Sequence, residues 1–254
     1  MRTTDFSRVL FDALQFSGND RHNINAETFS QFRDFSNFRL REAWEMFQWS
    51  DICRLEAFTT TTSSDVTFFV PNALAGEILG VFSRNPQTST KAIDLMYQLY
   101  NDNGTEKVIL NENIAEGWYF YRLECPVLSG DLYDSTIPYY EGSQIYFDSG
   151  SGTGTYSPVL GKPHQGNFYT CTVSSTTAGQ NPLTHPTYWS VIDIPYVFGP
   201  YLSWGSTSNW FVSEGMIQEA AVIEAKAKEM LENEFDKITR QQGQVSRINM
   251  IKTY

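Results

Sequence analysis

The longest regular pattern in the sequence lies near its C-terminus, between Glu214 and Gln242. Ser213 is suited to cap the start of a helix there, and Gly243 is suited to end it. Apolar residues recur at the spacing of one helix face; they are Met216, Ala220, Ile223, Ala227, Met230, Leu231, Phe235 and Ile238. Two of them are alanines, so this face is narrow. We therefore expect one long helix that another helix can approach closely.

Charged residues complete the description of this helix. Glu224 lies four residues before Lys228, which is the spacing of an ion pair on the solvent side of a helix. The following residues, 244–254, contain Arg247 and Lys252 and no acidic residue. A basic peptide that leaves the end of a long helix often reaches a neighbouring subunit, and we expect this tail to do so.

Helical patterns also occupy the start of the chain. Residues 4–16 are predicted to form a helix that Thr4 caps, with Gly18 directly after it. A second helix is predicted from Asn25, as its cap, to about residue 48. A short helix is expected after Asp51, and helices return after residue 194.

Between these helical ends, strand patterns separated by glycine and proline turns dominate. We expect the α+β class, in which a helical bundle is formed by residues 1–57 and 194–254 packing on each other. An antiparallel β domain, residues 58–193, is expected to be inserted between the two parts.

Composition excludes several kinds of function. The chain has 254 residues and a net charge of −11, and most of the acidic excess lies in residues 58–215. Such a surface repels phosphates, so tight nucleic-acid binding there is not expected. Three cysteines and three histidines without a Cys-x-x-Cys motif give no ligand set for structural zinc. No cofactor is predicted. The polar N-terminus and the absence of a long apolar run predict no signal peptide and no membrane span.

Two strings of residues at the ends of the chain resemble the head–tail connector (adaptor or neck) proteins of tailed bacteriophages. The first contains Phe29, Phe32 and the run Asn37-x-Arg39-Leu40-Arg41-Glu42-Ala43-Trp44-Glu45. The second contains Ile194-Pro195-x-x-Phe198-x-x-Tyr201-Leu202 and Arg240-Gln241-Gln242-Gly243.

This resemblance implies a virion neck protein that is made in the host cytoplasm. Its copies would form a ring, commonly of twelve, between the portal protein and the next tail component, and DNA would pass through the ring without specific binding. The candidate interface residues are Arg39, Arg41, Trp44, Arg240, Arg247 and Tyr254.

A second resemblance lies in residues 137–193, which are similar to small chitin-binding-type carbohydrate modules. It is carried by Tyr140-x-Gly142, Phe168-Tyr169-x-Cys171 and the prolines before Trp189. It implies an alternative function, a virion-borne module for host surface glycans, with Tyr169 and Trp189 facing the sugar. The other interpretation is that these two rings fill the core of a small sheet.

No pattern in the sequence predicts catalysis. The glycine-rich run from Gly150 to Gly154 is not followed by a helix pattern or a nearby lysine, so it does not fit a phosphate-binding loop. A glycosidase pair among Glu124, Asp131 and Asp134 is the one enzymatic hypothesis that the acidic residues suggest. We predict a structural protein and no enzyme.

Overall fold

The structure is a computed structural model that describes residues 2–21, 24–63, 66–150, 156 and 165–242. Within these residues the helices are α1 (Phe6–Ser17), α2 (Ala26–Met46), α3 (Gly199–Ser213) and α4 (Ile217–Gln242). The strands are β1 (Thr3–Thr4), β2 (Cys53–Thr59), β3 (Thr61–Ser63), β4 (Val66–Phe69), β5 (Ala75–Phe82), β6 (Tyr97–Asp102), β7 (Thr105–Leu110), β8 (Glu116–Leu123), β9 (Asp131–Leu132), β10 (Gln144–Asp148), β11 (Gly166–Cys171), β12 (Trp189–Val191) and β13 (Ile194–Pro195). Short 3-10 helices cover Pro186–Tyr188 and Tyr196–Phe198.

The chain divides into two compact units. Among the described residues, the first unit is drawn from Met1–Phe47 and Pro126–Asp236, and the second from Gln48–Cys125 and Lys237–Tyr254. The first unit holds α1, α2, α3, most of α4, the two-stranded sheet β1-β13 and a four-stranded sheet in the order β12-β11-β10-β9. In that sheet β9 runs parallel to β10, and the other pairs are antiparallel.

Helix α3 occupies the centre of the helical part of the first unit, and small residues allow this position. Its buried residues include Ser203, Gly205, Ser206, Thr207 and Ser208. Their hydroxyls contact all three other helices: Ser203 Oγ donates to the Val9 carbonyl of α1 at 3.2 Å, and Ser208 Oγ donates to the Ala220 carbonyl of α4 at 3.1 Å. Ser206 Oγ lies 3.1 Å from Ser36 Oγ of α2. Short side chains let backbones approach closely, and each buried hydroxyl is hydrogen-bonded.

The four-stranded sheet of the first unit shares its core with the helices. The ring of Phe6 on α1 lies 4.8 Å from that of Phe168 on β11 and 6.0 Å from that of Tyr146 on β10, between ring centroids. The Phe6 N–H donates to Asn167 Oδ1 at 2.9 Å, and the Gly166 N–H donates to Ser7 Oγ at 3.0 Å. The start of α1 is therefore fixed to β11 by both packing and hydrogen bonds.

These observations correct the predicted fold class. The protein is mixed α/β, with four helices and four sheets in the described residues, where strands occur from Thr3 to Pro195 rather than in one inserted segment. The prediction of an antiparallel β domain inserted into a helical bundle is wrong. The helices from the two ends of the chain do pack together. The sheet β12-β11-β10-β9 belongs to the same core, because Phe6 of α1 is buried against its residues Tyr146 and Phe168.

The second unit contains two sheets around one core. One has the order β2-β8-β5 and the other has the order β3-β4-β7-β6; the pairs within each are antiparallel. The core combines side chains from both sheets; it comprises Phe58, Phe69, Ile78, Val81, Leu95, Val108, Leu110, Tyr119 and Tyr121. The rings of Phe58 and Phe69 stack at 3.9 Å across it.

Some of the helix starts and ends predicted from the sequence are confirmed by the structure, and others are wrong. Asn25 caps α2 as predicted, since its Oδ1 accepts from the Thr28 N–H at 2.7 Å, and Gly18 ends α1 at a positive φ of 76°. The short helix predicted after Asp51 is wrong, because Cys53–Thr59 forms β2 and pairs with β8. Ser213 is the last residue of α3, and Gly215 at φ 77° separates α3 from α4.

Candidate interaction surface

Arg39 lies on the inner side of α2 and is 5% exposed. Its side chain passes over α3 at Gly205, where an added Cβ would lie 2.9 Å from Arg39 Cδ. Any larger residue at position 205 would push against the aliphatic part of the arginine. The glycine therefore makes room for a long charged side chain between helices.

The guanidinium of Arg39 joins α2, α3 and α4. Its Nη1 and Nη2 donate to Glu224 Oε1 and Oε2 at 3.0 and 2.6 Å, a bidentate pair with α4. Nη2 also donates to Asn209 Oδ1 on α3 at 2.7 Å, and Nη1 donates to Glu42 Oε2 at 3.1 Å. The Tyr201 hydroxyl donates to the same Glu42 oxygen at 2.6 Å. We refer to Arg39, Glu42, Tyr201, Asn209 and Glu224 as the Arg39 cluster.

Burial and pairing act against each other on the ionisation of this cluster. Burial alone would lower the pKa of Arg39, but the hydrogen bonds to Glu224 and Tyr201 outweigh it and raise that pKa. Burial would raise the pKa of Glu224, and the Arg39 contact outweighs it and lowers that pKa. The pKa of Tyr201 is raised, first by burial and then by its bond to Glu42. The arginine and Glu224 thus stabilise each other's charged forms.

The outward side of α2 presents a different set of side chains. Phe38 is 63% exposed and Met46 is 42% exposed, and Arg41, which follows Phe38 by three residues in the sequence, is also exposed. On an α-helix, residues 38, 41 and 46 project within the same half of the surface. We call these three residues the α2 outer face. Phenylalanine, methionine and arginine are enriched at protein interfaces, so this face is the candidate interaction surface of the first unit.

The remaining predicted interface residues are placed as follows. Trp44 is 4% exposed, and its ring packs 5.9 Å from that of Phe198 inside the first unit. Arg240 is exposed near the end of α4. Arg247 and Tyr254 lie outside the described residues. Of the arginines in the connector-like string, Arg39 is thus engaged within its own chain and Arg41 faces solvent.

The two residues predicted to face a glycan lie in the sheet β12-β11-β10-β9. Trp189 is 7% exposed, and its ring meets that of Tyr139 edge to face at 5.5 Å. Tyr169 is partly buried and packs at the edge of the same hydrophobic cluster, 6.4 Å from the ring of Phe147. The Trp189 ring fills the core, so it offers no open face on which a sugar could stack.

The acidic residues considered for hydrolysis are spread over the surface. Asp131 pairs with Arg33 at 2.7 Å, and Asp134 accepts hydrogen bonds from the Thr136 N–H and hydroxyl at 2.8 and 2.7 Å. Within the described part of the chain, no group of three or more histidine, cysteine, aspartate or glutamate residues could hold a metal ion. None of the helices described there is both long and apolar enough to cross a membrane.

No protein-family model matches the chain, and no curated protein matches it. The resemblance to connector proteins therefore stays a prediction from the residues quoted above.

Sequence reasoning missed the partner of Arg39. Glu224 was expected on the solvent side with Lys228, and that pair is present at 3.5 Å, but the carboxylate of Glu224 mainly serves Arg39. Phe38 was also missed, although an aromatic residue beside two arginines in a helix could have drawn attention. No sequence signal links positions 39 and 224, because the contact depends on how α4 packs on α2 and α3.

Proposed function

We propose that this protein is a structural subunit of a bacteriophage virion, a head–tail connector whose copies form a ring between the portal protein and the tail. The sequence resemblance supplies the class of protein and the expected number of copies, commonly twelve. In this proposal the protein is made in the host cytoplasm, ends in the neck of the virion and performs no catalysis.

The α2 outer face is the observation that supports this proposal best. Phe38 and Met46 leave two large apolar side chains in water on a helix whose opposite side is already used by the core. Arg41 lies on the same side of the helix and offers a planar group for a carboxylate on a partner. Aromatic and arginine side chains commonly supply much of the binding energy of an interface. A neighbouring copy or the portal protein would cover this face.

The negative charge of the protein is consistent with a ring around DNA. A net charge of −11 disfavours adhesion of phosphates. DNA can then move through the lumen without being held.

The experiment measures the mass of the full-length protein, alone and mixed with the portal protein of the same phage, by mass photometry. We expect a ring-sized species in at least the mixture, and we expect Phe38→Glu and Arg41→Glu to reduce it strongly. Ile93→Glu is the matched control, because Ile93 is 64% exposed, close to the 63% of Phe38, and lies in the second unit. A protein that is monomeric in both samples would contradict the proposal.

The alternative, glycan recognition through Tyr169 and Trp189, gains no support from the position of Trp189 in the core. It stays a prediction of the sequence alone.

A further inference from the structure

The second unit contains a surface recess of about 400 Å³ at one end of the sheet β2-β8-β5. At this end β8 begins and its two neighbours finish, since Thr59 of β2 pairs with Glu116 and Phe82 of β5 pairs with Trp118. The volume falls in the range of small-molecule sites. Polar and aromatic side chains line it; they include Thr59, Ser83, Arg84, Asn85, Glu116 and Trp118.

Trp118 supplies an aromatic surface to the recess. Its neighbours in β8, Gly117 and Tyr119, are buried on the core side, so the alternation of the strand places Trp118 on the outer side, where it is partly exposed. Position 117 must be glycine, because a Cβ there would lie 2.5 Å from the Phe58 ring and 2.7 Å from the Phe82 carbonyl oxygen. The missing side chain lets β8 and Trp118 lie close against the end of β5.

The segment that carries the polar wall, residues 83–93, is held in place by its own hydrogen bonds. Ser83 and Ile93 exchange bonds, since the Ser83 N–H donates to the Ile93 carbonyl at 3.0 Å and the Ile93 N–H donates to Ser83 Oγ at 3.1 Å. Asn85 Oδ1 accepts from the Gln87 N–H at 2.8 Å, and the Asn85 carbonyl accepts from the Ser89 N–H at 2.9 Å. A wall fixed in this way loses little freedom when a ligand binds.

The hydrogen bonds within residues 83–93 leave several donors and acceptors available to a ligand. The Asn85 side-chain amide and the Ser83 hydroxyl can still donate, because the bonds named above use only their oxygens as acceptors. Arg84 adds donors, and Glu116 and Thr59 add acceptors. Donors and acceptors thus surround one partly exposed indole ring.

We propose that this recess is a saccharide-binding site, in which the non-polar face of a sugar ring stacks on Trp118 while its hydroxyls bond to Asn85, Arg84 and Glu116. A pyranose matches this lining because it has a C–H face and a rim of hydroxyls that both donate and accept. A single positive and a single negative group are better suited to a neutral ring than to a multiply charged ligand. The site is independent of the α2 outer face and of the connector proposal.

The test uses the full-length protein labelled with 5-fluorotryptophan and fluorine NMR. The chain has six tryptophans, so Trp118→Phe assigns the resonance of Trp118 by its loss. The probes are the methyl glycosides of glucose, galactose, N-acetylglucosamine and rhamnose, with triglycine as the peptide probe. We expect the Trp118 resonance to shift with at least one saccharide at millimolar concentration, while the other five tryptophan resonances stay in place.

Variants then separate recognition from folding. Arg84→Ala and Asn85→Asp should each weaken saccharide binding by about tenfold, the effect expected when a bonded group is lost. Neither should change the thermal midpoint of unfolding, because the aspartate keeps the oxygen that accepts from the Gln87 N–H. Tyr100→Ala is the control, because Tyr100 is 54% exposed on β6 and does not line the recess. The proposal is overturned if no saccharide shifts the Trp118 resonance, if only triglycine shifts it, or if both polar variants bind as the unaltered protein does.

Discussion

Arg39 and Glu224 lie 185 positions apart in the sequence, and their side chains form a bidentate ion pair at 3.0 and 2.6 Å between α2 and α4. The arginine is almost completely buried, whereas the Glu224 side chain keeps 25% of its surface exposed. Helix α4 buries few residues, chiefly Ala220, Ala227 and Leu231. The pair is therefore one of the contacts that hold α4 against α2, together with the stacked rings of Phe47 and Phe235.

Replacing Arg39 by methionine should destabilise the first unit by about 3 kcal/mol, because Glu224, Glu42 and Asn209 lose their shared donor. Unfolding in urea, followed by circular dichroism, measures the change. The double variant Arg39→Met, Glu224→Met should recover part of the loss, since it removes the unpaired carboxylate as well. If the single and the double variant lose the same free energy of unfolding, the unpaired carboxylate adds no penalty, and the loss comes from the missing ion pair.

Acid should weaken the protein through Glu224. Its folded-state pKa is lowered below the ordinary value of 4.5, so the carboxylate contributes stability above pH 4.5 that is lost as the pH falls through the folded pKa. The pKa of Arg39 is raised, so the arginine stays charged throughout this range. Urea unfolding from pH 7 down to pH 3 should show a steeper decline for the unaltered protein than for Glu224→Gln. If stability falls equally steeply with pH in the two proteins, other carboxylates cause the loss of stability in acid.

Alkali should act on the second unit through Tyr119. Burial, and then the bond that its hydroxyl donates to Glu56 at 3.0 Å, raise the pKa of Tyr119 from 10 to about 12. A raised pKa means that its contribution to stability is complete below pH 10 and is lost as the pH rises towards 12. Thermal midpoints measured between pH 9 and pH 12 should fall less steeply for Tyr119→Phe. Tyr100→Phe, at an exposed position, should leave the slope unchanged.

The sheet β12-β11-β10-β9 should not unfold independently of α1. Phe6 contacts Phe168 and Tyr146 in a shared core, so Phe6→Ala should cost about 3 to 5 kcal/mol, as for other buried phenylalanines. Hydrogen exchange should then rise together in α1 and β11. Faster exchange in α1 alone would restore the idea of a separate β domain.

Interactions between residues that are close together in the sequence determine part of this structure, and these parts could be predicted from the sequence. The helical period of α2, its cap at Asn25 and the left-handed turn at Gly18 are all fixed by residues within one or two turns of each other. The same holds for α4, whose predicted buried alanines, Ala220 and Ala227, are buried. Such features can be found from the sequence because no distant contact is needed to make them favourable.

Distant contacts decided the rest. Cys53–Thr59 has a composition that suits several structures, and it becomes a strand because β8 offers it hydrogen-bonding partners more than fifty residues away along the chain. The small buried residues in the middle of α3 carry no apolar signal, and the hydroxyls of Ser206 and Ser208 find their partners only when α2 and α4 are in place. The meeting of Arg39 with Glu224, and of Phe6 with Phe168, has the same origin: the sequence determines which faces are apolar or charged, and the packing of the folded chain determines which faces meet.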